Sequence, residues 1–474
     1  MANIPAIDET LKTARRVHFI GAGGSGMCPL EEILLSWGYD VTGSDNNESE
    51  TLERVREAGV KVAALGQRAE NINGADMIVY TAAVLQDNPE LVAARESGIP
   101  MYERSELLGA VTRRYKNCIC VSGTHGKTTT TAMLTQILLT AKLSPSAVIG
   151  GKLPATNSNG MVGKSENMVC EACEFQDHYL ALDPDAVVIL NIDEDHLEYF
   201  KNLKNIIASF KKFALMAKKY VLYNGDDDNT RECLSQVAKD KTYNPHVKLL
   251  SFGRGEQNTF RAANVRAKNA LYSYDLIYNG DLLTRIQLSV PGEHNVLNSL
   301  AAIAAAMLSD ASVFDCEKGA AAFKGAGRRF EIIGEFAGVT LADDYAHHPK
   351  ELEVTLRAAK QMNYKNVWAV FQPFTFSRTA ILLDDFAKAL PIADKVVMTK
   401  IMGSREINTY GISTQDLADR IPGSVWFEEF PETAAFVAAN AAPGDLVITL
   451  GCGDVYKCGK IIKALLEKKS EVAG

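Results

Sequence analysis

Three α/β domains in series are what this sequence predicts: a Rossmann-like domain at each end and a P-loop ATPase domain, carrying a small antiparallel sheet, between them. Short β-rich apolar runs alternate with amphipathic stretches along most of the chain, the pattern of parallel sheets covered by helices. Two of those runs pass directly into glycine loops that open helices, at residues 21–26 and 122–129. A length of 474 residues exceeds one ordinary core and divides naturally among three. The expected domains are residues 1–115, 116–325 and 326–474.

The first block starts at VHFIGAG (17–23) and runs to about Tyr115. Its strands are carried by DVTGSD, KVAAL and MIVYTAA, with amphipathic helices at 29–37 and 52–58. The second block opens with NCICVSG (117–123) and continues through AVVILNI (186–192) and YVLYN (220–224), short apolar runs that read as buried parallel strands. Between about 247 and 290 the texture changes. TFRAANVRA, ALYSYDLIYNG and LLTRIQLSV predict an antiparallel meander, with Asn279-Gly280 as a hairpin turn, and a helix follows over 297–308. The glycine-rich GAGRRFE (325–331) reads as a hinge into the third block, whose strands are NVWAVF (366–371), KVVMTK (395–400) and LVITLG (446–451).

Composition narrows the function. A net charge of -8 argues against non-specific nucleic-acid binding. No stretch approaches the roughly 18 apolar residues a membrane span requires, and residues 1–16 hold no apolar run of signal-peptide length. A cytoplasmic protein with no membrane partner, acting as a monomer or homodimer, is expected. The nine cysteines are scattered, and the single C-x-x-C at Cys170 and Cys173 has no second pair at zinc-site spacing, so reduced structural thiols are expected.

The sharpest motif is SGTHGKTT (122–129). A strand ending in a glycine loop that opens a helix presents successive backbone N–H groups to phosphate oxygens, here from Gly123, Thr124, His125, Gly126 and Thr129. Lys127 would reach the β- and γ-phosphates, and the Thr128 hydroxyl would take a Mg²⁺ position. Val121 stands where the usual leading glycine of such a loop would be. The N-terminal GAGGSG (21–26) follows a strand, precedes a helix and has Asp45 about twenty residues on, which completes a dinucleotide fingerprint. Gly21, Gly23, Gly26 and Asp45 would bind a diphosphate and a ribose, and both NAD and a UDP-sugar offer these.

Two acidic clusters follow: CEACEFQD (170–177) and NIDEDHLEYF (191–200), the second at a strand C-terminus where α/β sheets bind ligands. Glu171 is a hard oxygen donor suited to Mg²⁺; His196 is an unusual one and reads equally as a base. In the third block DDYAHHPKE (343–351) gathers Asp344, Tyr345 and His348, and FQPFTFSR (371–378) and GCGD (451–454) each follow a strand. Arg378 is a candidate bidentate clamp for phosphate or carboxylate. Acids and histidines at strand ends also serve simply as helix caps.

Together these motifs resemble the Mur ligase family across essentially the whole chain and in order: IGAGGSGM, SGTHGKTTTT, CEACE, NIDEDH, PGEHNVLNSLAA, GAGRRFE, DDYAHHPKE, FQPFTFSRT and GCGDVY. The resemblance implies ATP-dependent, Mg²⁺-assisted joining of L-alanine to UDP-N-acetylmuramate through an acyl phosphate. It implies that Gly21, Gly23, Gly26 and Asp45 lie along the UDP moiety, that His294, Asn295 and Arg328 reach the nucleotide, and that Asp344, Tyr345, His348 and Arg378 shape the closed site. Thr128, Glu171 and His196 would form the metal site, and Asp195, His196 or His348 would take the amine proton. Two departures stand out: Phe374 where the family commonly has histidine, and Cys452 where it has alanine. The competing readings are a ligase adding an intact tripeptide, a glutamate-adding ligase, and a dehydrogenase built on the first domain.

Overall fold

The structure, a computed structural model, describes residues 4–62, 65–404 and 406–473. Its strands form three sheets. The first contains β1 (Arg16–Ile20), β2 (Asp40–Ser44), β3 (Lys61–Val62), β4 (Met77–Tyr80) and β5 (Met101–Glu103) in the order β3-β2-β1-β4-β5, every pair parallel. That order reverses direction between β1 and β4, so the crevice beyond their C-terminal ends is a ligand position. The loop after β1 lies there: a Cβ on Gly21, whose φ is +89°, would lie 2.8 Å from Thr81 just past β4.

The second sheet contains β6 (Asn117–Ser122), β7 (Ser146–Leu153), β8 (Ser158–Met161), β9 (Asn167–Glu171), β10 (Ala186–Ile189), β11 (Tyr220–Asn224), β12 (Lys248–Gly253), β13 (Phe260–Lys268), β14 (Leu271–Tyr278) and β15 (Asp281–Pro291). Their order is β15-β14-β13-β12-β11-β10-β6-β9-β7-β8. β6 is flanked in parallel by β10 and β9, both fully or largely buried apolar strands, as continuous Val/Ile/Cys runs require. The meander is present. Asn279 and Gly280, at φ +50° and +93°, form the two-residue link between neighbouring β14 and β15, a link short enough only for antiparallel strands.

The third sheet contains β16 (Glu331–Phe336), β17 (Val339–Asp344), β18 (Val367–Phe371), β19 (Lys395–Thr399), β20 (Val425–Phe427) and β21 (Leu446–Leu450), in the order β16-β17-β21-β18-β19-β20. Only the edge strand β16 runs antiparallel to its neighbour. The last strand to form in sequence, β21, inserts between β17 and β18, which brings the ends of three strands together at Asp344, Gly451 and Gln372.

The chain divides into two compact units: Met1–Asn264 with Tyr274–Gln287 and Leu297–Phe323, and Val265–Ser273 with Leu288–Val296 and Lys324–Gly474. The first sheet and most of the second lie in one unit because one apolar core serves both. It runs from Val17 and Phe19 through Leu107 and Leu108 to Tyr179, Phe210 and Phe213, all essentially inaccessible. Among the described residues no helix is long and apolar enough to cross a membrane.

A buried polar network fixes the end of β2 beside the glycine loop. Ser44 donates to Glu90 Oε2 at 2.5 Å, Arg68 N donates to Oε1 at 3.1 Å, and Asn71 donates to the same oxygen. His18 lies beneath, its Nδ1 2.9 Å from the Thr42 hydroxyl and its Nε2 3.5 Å from Glu90. Burial works against the Glu90 charge, but hydrogen bonds from His18, Ser44 and Asn71 outweigh it and hold the carboxyl below its usual range. That stability is present above the ordinary glutamate pKa and is lost as pH falls through the lowered one. Glu90→Ala should therefore cost about 3 kcal/mol at neutral pH by stranding three donors. In denaturant melts the deficit should shrink below about pH 4; a deficit that does not change with pH would contradict this account.

Candidate active site

The phosphate loop grows out of β6. The strand is buried to Ser122, and the helix Lys127–Thr140 begins after Gly126, which is left-handed at φ +85°. The loop is clamped from the end of β10. Thr124 N donates to Asn191 O at 3.1 Å, His125 N to Asn191 Oδ1 at 2.8 Å, and Asn191 Nδ2 returns a bond to His125 O at 3.0 Å. Asp193 N donates to the Thr124 hydroxyl at 2.9 Å. Both glycines are sterically required: a Cβ at Gly123 would lie 2.9 Å from Leu190, and one at Gly126 would lie 2.4 Å from Asn298. Thr129 follows on the helix, half-buried.

Two charged side chains meet this loop. Thr128 Oγ1 donates to Glu171 Oε1 at 3.0 Å, because Glu171 ends β9 directly beside β6. Gly150 N donates to the other Glu171 oxygen at 2.6 Å, and a Cβ at Gly150 would lie 2.6 Å from both oxygens. Lys127 Nζ donates to Gly123 O at 2.6 Å, Thr124 O at 3.1 Å and Glu174 Oε1 at 2.9 Å. Burial opposes the Lys127 charge, but Glu174 alongside outweighs it and holds the ammonium above its ordinary pKa.

A hydroxyl and a carboxylate side by side, next to a lysine, make a hard oxygen set that fits Mg²⁺. No three His, Cys, Asp or Glu side chains among the described residues form a metal cage. That also suits an ion that takes one or two carboxylates and completes its shell with phosphate and water. His196 adopts a left-handed conformation at φ +52° in the loop beyond β10, with its ring 4.8 Å from Phe175 and its Nε2 3.8 Å from Asp195. Cys170 and Cys173 are free thiols, the first buried and the second half-buried.

In the first sheet Asp45 ties the glycine loop to itself. Gly23 N donates to Asp45 Oδ2 at 2.9 Å and Asn47 N to Oδ1 at 3.1 Å. Gly26 faces Arg104, whose Cδ would lie 3.3 Å from an added Cβ. Arg104 is a cation at the glycine loop that the motif alone did not reveal, since it is eighty residues downstream by position.

In the second unit Arg328 is fully engaged locally. Its Nε donates to Asp343 at 2.8 Å, Nη2 to Gly451 O at 2.6 Å and Nη1 to Gly453 O at 3.2 Å, and the guanidinium lies 4.9 Å from the Tyr345 ring centre. Asp344 accepts from Phe330 N and Ala346 N, each at 2.7 Å. His348 caps the helix Pro349–Lys360, accepting from Lys350 N at 3.4 Å in a capping box with Glu351. Arg378 sits half-buried on the short helix Phe376–Ile381, oriented by the Thr375 cap, and Phe374 is half-buried and bridges to Met402. His294 begins the helix His294–Met307, and Asn295 donates to Pro291 O at 2.7 Å. Gln372, absent from the sequence reading, donates to Asp454 at 2.9 Å and accepts from Val455 N at 3.1 Å, fixing the GCGD loop.

Three family models match the chain in series: a Mur ligase family catalytic domain over residues 16–116, a Mur ligase middle domain over 121–306, and a Mur ligase glutamate ligase domain over 328–453. The chain belongs to the Mur ligase family. Among relatives of this Mur ligase, the UDP-N-acetylmuramate–L-alanine ligase of Acetivibrio thermocellus is 40% identical over 97% of both chains. That of Lachnospira eligens is 42% identical over 94% of this chain and 97% of its own. The crystal structure of the UDP-N-acetylmuramate-alanine ligase of Thermotoga maritima is similar with a TM-score of 0.80 at 27% identity, covering 97% of this chain and 100% of that one. A murein peptide ligase of Psychrobacter arcticus shares the fold, with a TM-score of 0.73 at 22% identity over 96% and 99% of the two chains.

Removing Lys127 leaves Glu174 charged and buried without its partner. Lys127→Ala should therefore lose about 3–5 kcal/mol of stability as well as turnover. The double variant Lys127→Ala/Glu174→Ala should recover most of the stability and none of the turnover, read by denaturant melts and phosphate release. Equal stability of wild type and Lys127→Ala would show that the pair is not buried in solution.

Burial raises the Asp344 carboxyl to about 6, with Arg329 and the two backbone donors opposing. A raised acid contributes stability below its unfolded pKa and loses it as pH rises through about 6. Between about pH 4 and pH 6 the wild type should lose up to about 3 kcal/mol relative to Asp344→Asn. Parallel stability profiles for the two proteins would contradict that.

Proposed function

We propose that this Mur ligase joins L-alanine to UDP-N-acetylmuramate in the cytoplasm, converting ATP to ADP and phosphate, as a step in building peptidoglycan precursors. One observation carries the reading: the Lys127, Thr128 and Glu171 set lies at one strand end in a chain that matches L-alanine ligases over nearly its full length. In this reading residues 1–115 bind the UDP-sugar, 116–325 bind ATP, and 326–474 bind the amino acid.

A carboxylate is a poor electrophile, so the lactyl carboxylate oxygen first takes the γ-phosphoryl group and ADP leaves. The deprotonated amine of alanine then attacks the acyl carbon, the carbon–oxygen bond to phosphate breaks, and the nitrogen's proton passes to a base, with Asp195, His196 and His348 as the candidates, to give the amide. Lys127 stabilises charge on the transferring phosphoryl group, and the remaining backbone N–H groups of the loop orient the phosphates, those of Thr124 and His125 being taken by Asn191. Thr128 and Glu171, with His196 as a further donor, would hold Mg²⁺, which would supply Lewis-acid neutralisation of phosphate charge. Gly150 keeps Glu171 in place by donating its N–H and by having no side chain to collide with the carboxylate. Gly21, Gly23 and Asp45 shape the loop for the diphosphate, with Arg104 as its counter-charge. Arg378, His348, Tyr345 and Asp344 form the amino-acid end; Arg328 braces it through the Gly451 and Gly453 carbonyls. His294 and Asn295 are the residues that would contact the nucleotide.

Label from ¹⁸O in the lactyl carboxylate should appear in the released phosphate. Pyrophosphate release, or label confined to the amide and residual substrate, would rule out this activation route. L-Alanine should be the preferred amine, with glycine reacting measurably because one methyl is worth only about 1–3 kcal/mol. A tripeptide beginning with alanine that reacts far better than free alanine would move the chain to the peptide-adding class.

A further inference from the structure

The ammonium of Lys127 has three N–H donors, and the structure gives them three acceptor groups inside the protein: Gly123 O, Thr124 O and Glu174. Gly123 and Thr124 belong to a loop pinned by Asn191, so their carbonyls cannot withdraw without dismantling the loop. Glu174 is a side chain, 2% exposed, with both oxygens 2.9 Å from Lys127 Nζ and no hydrogen-bond donor on Oε2. It is the acceptor that can yield.

The backbone that carries Glu174 is built to aim it. The next turn contains Gln176 and Asp177 in left-handed conformations, φ +51° and +60°, although neither is glycine. Such residues persist only where surrounding contacts over-determine them. Here Asp177 accepts bonds from Ser209 and, at 2.8 Å, from Tyr199 OH.

We propose that Glu174 is the internal counter-ion of the phosphate loop, competing with the nucleotide γ-phosphate for Lys127 and thereby making tight ATP binding depend on Mg²⁺. The inference rests on the ATP site proposed above. A γ-phosphate that reaches Lys127 must share it with, or take it from, a buried carboxylate of the same sign. A divalent cation at Thr128 and Glu171 cancels phosphate charge and removes most of that penalty, whereas metal-free ATP meets it in full. Glu174 thus favours metal-bound over metal-free nucleotide without touching the reacting atoms.

Calorimetry with ATP, once in excess EDTA and once with Mg²⁺, tests this on the full chain without any acceptor. Glu174→Gln should bind metal-free ATP roughly ten-fold or more tightly than wild type, while the Mg²⁺-bound affinity changes less than about three-fold. A residue that merely positions Lys127 would instead weaken both affinities on substitution. Unchanged or weaker metal-free binding by folded Glu174→Gln overturns the proposal. Should that variant fail to fold, Glu174→Asp keeps the charge but shortens its reach. It should shift metal-free binding the same way by a smaller factor, and wild-type or weaker binding would overturn the proposal equally. Wild-type protein that binds no Mg-ATP would instead defeat the ATP-site reading itself.

Discussion

A lysine ammonium placed among buried backbone at the end of a parallel strand must be given anionic company or lose its charge. The centre of this molecule is arranged around that constraint. Lys127 is held by two carbonyls of its own loop and by Glu174, and the loop is in turn held by Asn191 at the end of the neighbouring strand. The glycines follow from the same packing: with Leu190 against Gly123 and Asn298 against Gly126, no other residue fits. On the other side of β6, β9 delivers Glu171 to Thr128. A cation and a carboxylate–hydroxyl pair therefore flank the glycine loop, an arrangement shaped for a polyphosphate and its metal.

The same logic recurs in each sheet. Strand order in the first reverses between β1 and β4, and Gly21 to Gly26 occupy the opening this creates, braced by Asp45 and faced by Arg104. In the third, insertion of β21 between β17 and β18 brings Asp344, Gly451 and Gln372 to one end, where Arg328 and Gln372 lock the GCGD loop. In each sheet the polar side chains at the candidate site lie at or past the C-terminal ends of the strands, beyond their more apolar middles. Chemistry and core are separated along the strand direction rather than by face.

Much of this was legible in the residues. The glycine loops, the buried parallel strands and the Asn279-Gly280 turn are local signals, each set by sterics within a few residues. What the sequence concealed depends on neighbours distant in the chain. In CEACEFQD the spacing does not say which glutamate meets which partner. The strand register takes Glu171 to Thr128, while the left-handed turn at Gln176 and Asp177 follows Glu174 toward Lys127. Within the strand Ser146–Leu153, Gly150 and Gly151 carry the local signal of a turn; Gly150 is there to clear the Glu171 carboxylate. Residues 1–115 and most of 116–325 share one compact unit because a single core links Leu107 and Leu108 with Tyr179, which no periodicity reveals. The sequence also concealed the structural bonds of two candidate site residues: the His348 ring nitrogen accepts a helix-capping bond, and Arg328 bonds to Asp343, Gly451 and Gly453.

In the proposed reaction the γ-phosphate held at the Lys127 loop is consumed only to activate a carboxylate for amide formation. The most direct measurement is phosphate release from Mg-ATP by the purified protein, with UDP-N-acetylmuramate and L-alanine omitted in turn. Sustained release should require both, with a single turnover at most when only alanine is missing. Sustained release from ATP alone, at the rate seen with both acceptors present, would contradict it.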